Sequence, residues 1–128
     1  MFKKIKSERY GTESTVFLPC TAAAEYKRGQ ALYVTAGGAA AATGETVPTH
    51  ICVEEKTGVA GEEVKAYRIF DDYSFKTTLS AAGTALKAGD KVTISSDGLE
   101  VTATKTNGVA QINKILSSAQ GGEVIVSF

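Results

Sequence analysis

Apolar and polar residues alternate in short bursts along this chain, and each burst is closed by Gly, Asp, Asn or Ser. No window of helical length keeps the i, i+3, i+4, i+7 spacing that an amphipathic helix needs. The pattern therefore predicts a mostly β chain, with strands over residues 14–18, 31–35, 50–54, 64–70, 91–95, 99–104, 110–116 and 123–128. Asp97-Gly98 lies between Val92, Ile94 and Leu99, Val101, and both residue types tolerate the positive φ of a tight hairpin turn. Asn107-Gly108 and Gly37-Gly38 are further turn candidates, and residues 77–88, interrupted by Gly83, read as a loop.

At 128 residues the chain has room for one domain. Val, Ile, Leu and Phe together number 29, which is enough for a core but a lean one. Thin layers and many turns are the expected way to use it. The expected fold is a small single-domain β-barrel or sandwich.

Compared with itself at an offset of 60, the chain repeats a motif. Gly29-Gln30-Ala31-Leu32-Tyr33-Val34-Thr35 lines up with Gly89-Asp90-Lys91-Val92-Thr93-Ile94-Ser95, Gly38 with Gly98, and Gly61-Glu62-Glu63-Val64 with Gly121-Gly122-Glu123-Val124. If the offset marks a repeat, two similar β units are expected to pair into one small barrel or sandwich, removing the exposed edges that make lone hairpins marginal. Residues 1–12 fall outside it. That segment is basic and polar with Phe2, Ile5 and Tyr10 as its apolar groups, and it is expected to be a flexible arm attached to a body over 13–128. An arm of this type gains most by ordering against another surface, for instance as an added strand.

Fourteen basic and fourteen acidic side chains cancel, so the overall charge does not call for nucleic acid. The distribution is uneven: six basic and three acidic groups in residues 1–28, three and seven in 29–75, five and four in 76–128. Such patches suit docking to a protein surface or to further copies of the chain. Residues 1–6 are followed by polar residues where a signal peptide would be apolar, so synthesis in the cytosol without export is expected, and no run approaches a membrane span. Cys20 and Cys52 are too few and too far apart for a disulfide scaffold or zinc site and are expected to be free thiols.

The search for chemistry returns little. His50 is the single histidine; by strand alternation it shares a face with Cys52 and Glu54, which permits a Cys/His/Glu site but fits a plain strand face better. The pairs Glu54-Glu55, Glu62-Glu63 and Asp71-Asp72 point to opposite faces of a strand and are expected to be solvated. No phosphate-binding glycine motif is present. Tyr67-Arg68-Ile69-Phe70 and Tyr73-Ser74-Phe75-Lys76 interleave aromatics with cations, but Asp71-Asp72 between them would repel phosphate, so a buried aromatic cluster or a protein contact is expected.

Tyr26-Lys27-Arg28-Gly29-Gln30, Gly61-Glu62-Glu63-Val64, Leu86-Lys87-Ala88-Gly89-Asp90-Lys91-Val92 with Asp97-Gly98, and the closing Gly122-Glu123-Val124-Ile125-Val126 resemble the head-decoration, or capsid cement, proteins of tailed bacteriophages. The resemblance covers about residues 14–128. It implies a tulip-like β domain without catalytic residues, metal or cofactor. Such a protein joins the outside of an expanded phage head, commonly as a homotrimer, and holds neighbouring subunits together. It also implies that the arm, through Phe2, Lys3, Lys4, Ile5, Lys6 and Tyr10, meets the major capsid protein, with no direct contact to nucleic acid or membrane. Arms of this family are often richer in Thr, Ala and Pro, so residues 13–17 are the other candidate for that contact. Two different readings stand beside it. One is a carrier or ligand-binding module, for which Lys56 lacks the flanking Met of a modified lysine. The other is an oligomeric enzyme with a site between subunits, against which the single histidine, His50, and the lack of a recognisable triad or metal set argue.

Overall fold

The computed structural model of the chain describes residues 1–6 and 15–128. Among the described residues there are twelve strands and no helix: β1 Lys3–Lys6, β2 Thr15–Pro19, β3 Glu25–Tyr26, β4 Ala31–Thr35, β5 Gly38–Ala41, β6 His50–Cys52, β7 Lys56–Thr57, β8 Glu63–Arg68, β9 Ser74–Thr78, β10 Lys91–Val92, β11 Ala110–Ile115 and β12 Glu123–Ser127. They form two five-stranded sheets, ordered β2-β8-β6-β4-β5 and β1-β9-β12-β11-β10, and a small β3-β7 pair. All strand pairs are antiparallel. Neither sheet closes into a barrel. A single parallel bridge, Cys20 to Ala39 in one and Leu79 to Val101 in the other, draws each sheet's ends together without a ladder between them.

The 60-residue offset is written into the backbone hydrogen bonds. The Gly29 amide donates to Cys52 O and the Gly89 amide to Ile112 O, both at 2.7 Å. The Cys52 amide donates to Gln30 O at 2.9 Å and the Ile112 amide to Asp90 O at 2.8 Å. Gln30 Oε1 accepts from the Lys27 amide, as Asp90 Oδ2 does from that of Lys87, so a polar side chain fastens the same turn in both halves. Gly61 and Gly121, at φ +85° and +79°, make matching left-handed turns into β8 and β12. Strand order agrees too, since β2-β8-β6-β4 corresponds to β9-β12-β11-β10. The two halves do not share one barrel, as the repeat alone would lead one to expect. Each builds its own curled sheet.

The inner strands of the first sheet are buried on both faces. Ala31, Ile51 and Tyr67 are cross-strand partners in one row, and they join the core of the second half with Phe75, Ile112, Val124 and Val126. Their neighbours Leu32, Cys52, Val64 and Ala66 point the other way, into a smaller cluster with Leu18, Cys20, Tyr26 and Ala39. The Tyr26 hydroxyl satisfies itself inside that cluster by donating to Ala39 O at 2.6 Å while accepting from the Thr21 amide.

The expectation of a flexible arm over residues 1–12 needs correction at its start. Phe2 is 1% exposed, edge-on to Phe75 and Phe128 at centroid distances of 6.4 and 5.4 Å, and its amide donates to Gly29 O. Lys3–Lys6 follows as a strand on β9. The cause is hydrophobic: the aromatic partners that Phe2 lacks locally are supplied by distant strands. The remainder of that arm, with Tyr10, lies outside the described residues.

Phe2→Ala empties an aromatic site in the core and is expected to cost about 3–5 kcal/mol in urea unfolding. If the halves are equivalent, Gly61→Ala and Gly121→Ala should each cost about 1–2 kcal/mol and agree with one another, because both force a side chain into the left-handed region with open space around it.

Candidate functional site

The residues expected to meet a partner separate into an inside and an outside. In β1, Lys3 pairs with Lys76 and Lys4 with Phe75, and after a register shift Lys6 pairs with Ser74. The shift makes Ile5 the extra residue of a bulge, a feature common on edge strands. Ile5 is 45% exposed and Lys3 is exposed, whereas the Lys4 ammonium lies 4.6 Å from the Tyr73 ring centroid and is half-buried. β1 ends the sheet, so its outer backbone edge has no further strand among the described residues. Phe2 is thus an anchor and cannot also be a contact; Lys3 and Ile5 are the groups displayed. Beside them lies a cleft of about 190 Å³ lined by Met1, Lys3, Lys4, Arg28, Val53 and Tyr67. Burial lowers the pKa of the Met1 amine, against an opposing pull from Glu100 and Asp97.

His50, Cys52 and Glu54, the three groups of the Cys/His/Glu reading, each make local hydrogen bonds. His50 Nδ1 lies 2.8 Å from Thr49 Oγ1, the Cys52 thiol donates to Glu54 O, and Glu54 Oε1 accepts from the Lys65 amide. Burial pushes the Cys52 thiol pKa up, and this disfavours the thiolate. Cys20 and Cys52 are both free and buried. Lys56 is not a free hairpin-tip amine: its Nζ donates to Glu63 O at 2.9 Å and to Glu62 Oε1 at 3.3 Å. Tyr67, Phe70, Tyr73 and Phe75 form a chain of ring contacts at 5.6–6.4 Å, the aromatic cluster expected of them. Among the described residues, no group of three or more His, Cys, Asp or Glu is placed to hold a metal ion. Among the described residues no helix is long and apolar enough to cross a membrane.

A second hollow, of about 520 Å³, was not foreseen from sequence. Tyr33, Val34, Val47, Thr49, His50 and Arg68 line it. It assembles from the ends of three strands, so no local run of residues announces it; Pro48, which brings no N–H to the end of β4, is the one signal that could have pointed there. Comparison with protein-family models, with curated proteins and with solved structures gives no match.

Burial, and then the nearby Arg68 guanidinium, lower the His50 pKa below 6.5. The unfolded chain therefore binds the proton more readily. His50's contribution to stability is present above pH 6.5 and is lost as the pH falls through its lower folded value. His50→Gln is expected to flatten the fall in melting temperature between about pH 7 and about pH 5. Neither cysteine should react with a thiol-specific disulfide reagent in the native protein, and both should react once urea unfolds it.

Proposed function

We propose that this chain is a structural virion protein of a tailed bacteriophage, added to the outer surface of the expanded head to stabilise it, with no catalytic activity or cofactor of its own. Its partner in this reading is the major capsid protein. It acts as a homotrimer on the capsid and touches neither nucleic acid nor membrane. The body is taken to be a small β-sandwich of the tulip-like sort that the resemblance implies.

The observation that carries the reading is the terminal strand β1, whose outer edge is open among the described residues and whose Lys3 and Ile5 are displayed. An open edge adds a partner's strand through main-chain hydrogen bonds, while the flanking side chains select which strand. The role first assigned to a loose arm is accordingly given to an edge already held in place by Phe2. Preorganisation of that kind lowers the entropy lost on docking. Stabilisation of a shell then follows by mass action, since a ligand of the expanded lattice that ignores other states favours that lattice. Repetition over many sites amplifies a modest single contact.

In a pelleting assay the protein should co-sediment with expanded cognate heads and not with unexpanded ones. Lys3→Glu with Ile5→Glu should weaken that binding by about tenfold or more while leaving the circular dichroism and melting temperature unchanged. Equal binding to both head forms, or to neither, overturns the reading.

A further inference from the structure

Because the halves repeat, each position in one can be compared with its counterpart in the other, and one contact has been filled only once. In the second half, Ile94 bridges Gly44 of the first: the Gly44 amide donates to Ile94 O at 2.8 Å and the Ile94 amide to Gly44 O at 3.0 Å. Next to it the Asn107 amide group donates to Glu45 Oε1 at 3.2 Å. A short stretch of chain thereby covers Ile94, which is 2% exposed.

Val34 is the counterpart of Ile94, sixty residues earlier, and it is 46% exposed. Its main-chain groups face the 520 Å³ hollow. The direction follows from alternation: Leu32 O accepts from the Thr49 amide on the β6 side, and Val34, two residues on, presents its N–H and C=O to that same side. Pro48 stands there and has no N–H to offer, and no other described residue is bonded to the Val34 backbone on this side. Val47 occupies the place of Asn107, and Thr49 that of Val109. The cation of the hollow, Arg68, and the imidazole of His50 belong to this half.

We infer that this hollow is a docking site for an extended segment of another protein chain, carrying Gly followed by an acidic residue, which bridges Val34 as Gly44-Glu45 bridges Ile94. Glycine is favoured because the bridging residue adopts φ +59° in the filled copy, a region where a side chain is strained. An acidic neighbour is required because the hollow offers Arg68, where the filled copy offers the neutral amide of Asn107. The chain's own Gly44-Glu45 is already committed to the second half, and no other described residue fills the place, so the occupant is assigned to another chain. The inference is independent of the capsid reading, since neither β1 nor a phage head takes part.

The probe is a synthetic peptide of residues 41–47, Ala-Ala-Thr-Gly-Glu-Thr-Val, titrated into the full ¹⁵N-labelled protein. Before addition, the Val34 amide should exchange rapidly with solvent and the Ile94 amide slowly. The peptide should shift the resonances of Val34, Val47, Thr49, His50 and Arg68 and slow exchange at Val34. Glu→Gln in the peptide, or Arg68→Gln in the protein, should weaken the effect by about tenfold, and Gly→Val in the peptide should abolish it. Protection of Val34 without peptide, no response to peptide, or a response centred on Ile94 overturns the inference. Protection that rises with protein concentration alone also overturns it, by assigning the groove to a second copy.

Discussion

The strands β4, β6 and β8 carry apolar side chains on both faces, and no single layer can bury both. Ala31, Ile51 and Tyr67 need a cover on one side and Leu32, Cys52 and Ala66 need one on the other. The chain meets the second demand by curling the first sheet about its own small cluster, with Tyr26 as the plug. It meets the first by laying the second half against the exposed row. From that arrangement follow the position of the aromatic chain from Tyr67 to Phe75 and the site that receives Phe2. Buried on both faces, those strands tolerate few changes of volume.

Repetition and asymmetry coexist in the molecule. The same turn, the same pair of backbone bonds and the same strand order occur twice, but the surroundings differ. The second half receives β1 on its outer strand and the 43–45 stretch on Ile94, whereas the matching positions of the first half have no such neighbour among the described residues. Two copies of one unit inside a chain therefore do not give two copies of one surface. The half with fewer internal neighbours is the one with more surface available for docking.

Much of the fold was legible in the sequence where residue type marks backbone geometry. β4 was read in full because Ala31–Thr35 is a short apolar run bounded by Gly29 and by Gly37-Gly38, and the offset of 60 was visible because Gly29, Gly61, Gly89 and Gly121 sit at positive φ, a condition that records itself as glycine. Side chains within the repeat are a weaker record. Tyr26 and Leu86, Cys20 and Leu79, Ala39 and Val101 fill corresponding buried places with unrelated shapes. Of β5, built as Gly38–Ala41, only the Gly37-Gly38 turn at its start was marked, because alanine gives little strand signal and its burial comes only from neighbours. β9 was read for its aromatics, and the alternation that buries Phe75 and Thr77 went unused. Of the site, Lys3 and Ile5 were legible as displayed groups. The burial of Phe2 was not, since its partners Phe75 and Phe128 are brought to it only by the folded sheet.

Beside the shared hydrophobic core, one part of the join between the halves is made of main chain. The Ala31 amide donates to Gly98 O, Gly44 and Ile94 exchange two bonds, and a Cβ at Gly98 would stand 3.2 Å from Ala31 O. Polypeptide groups are the same whatever residue carries them, so a seam of this kind is nearly blind to mutation away from its few glycines. Two duplicated segments held in this way can drift apart in composition for a long time and still find each other, which accounts for a kinship clear in the hydrogen bonds and faint in the letters.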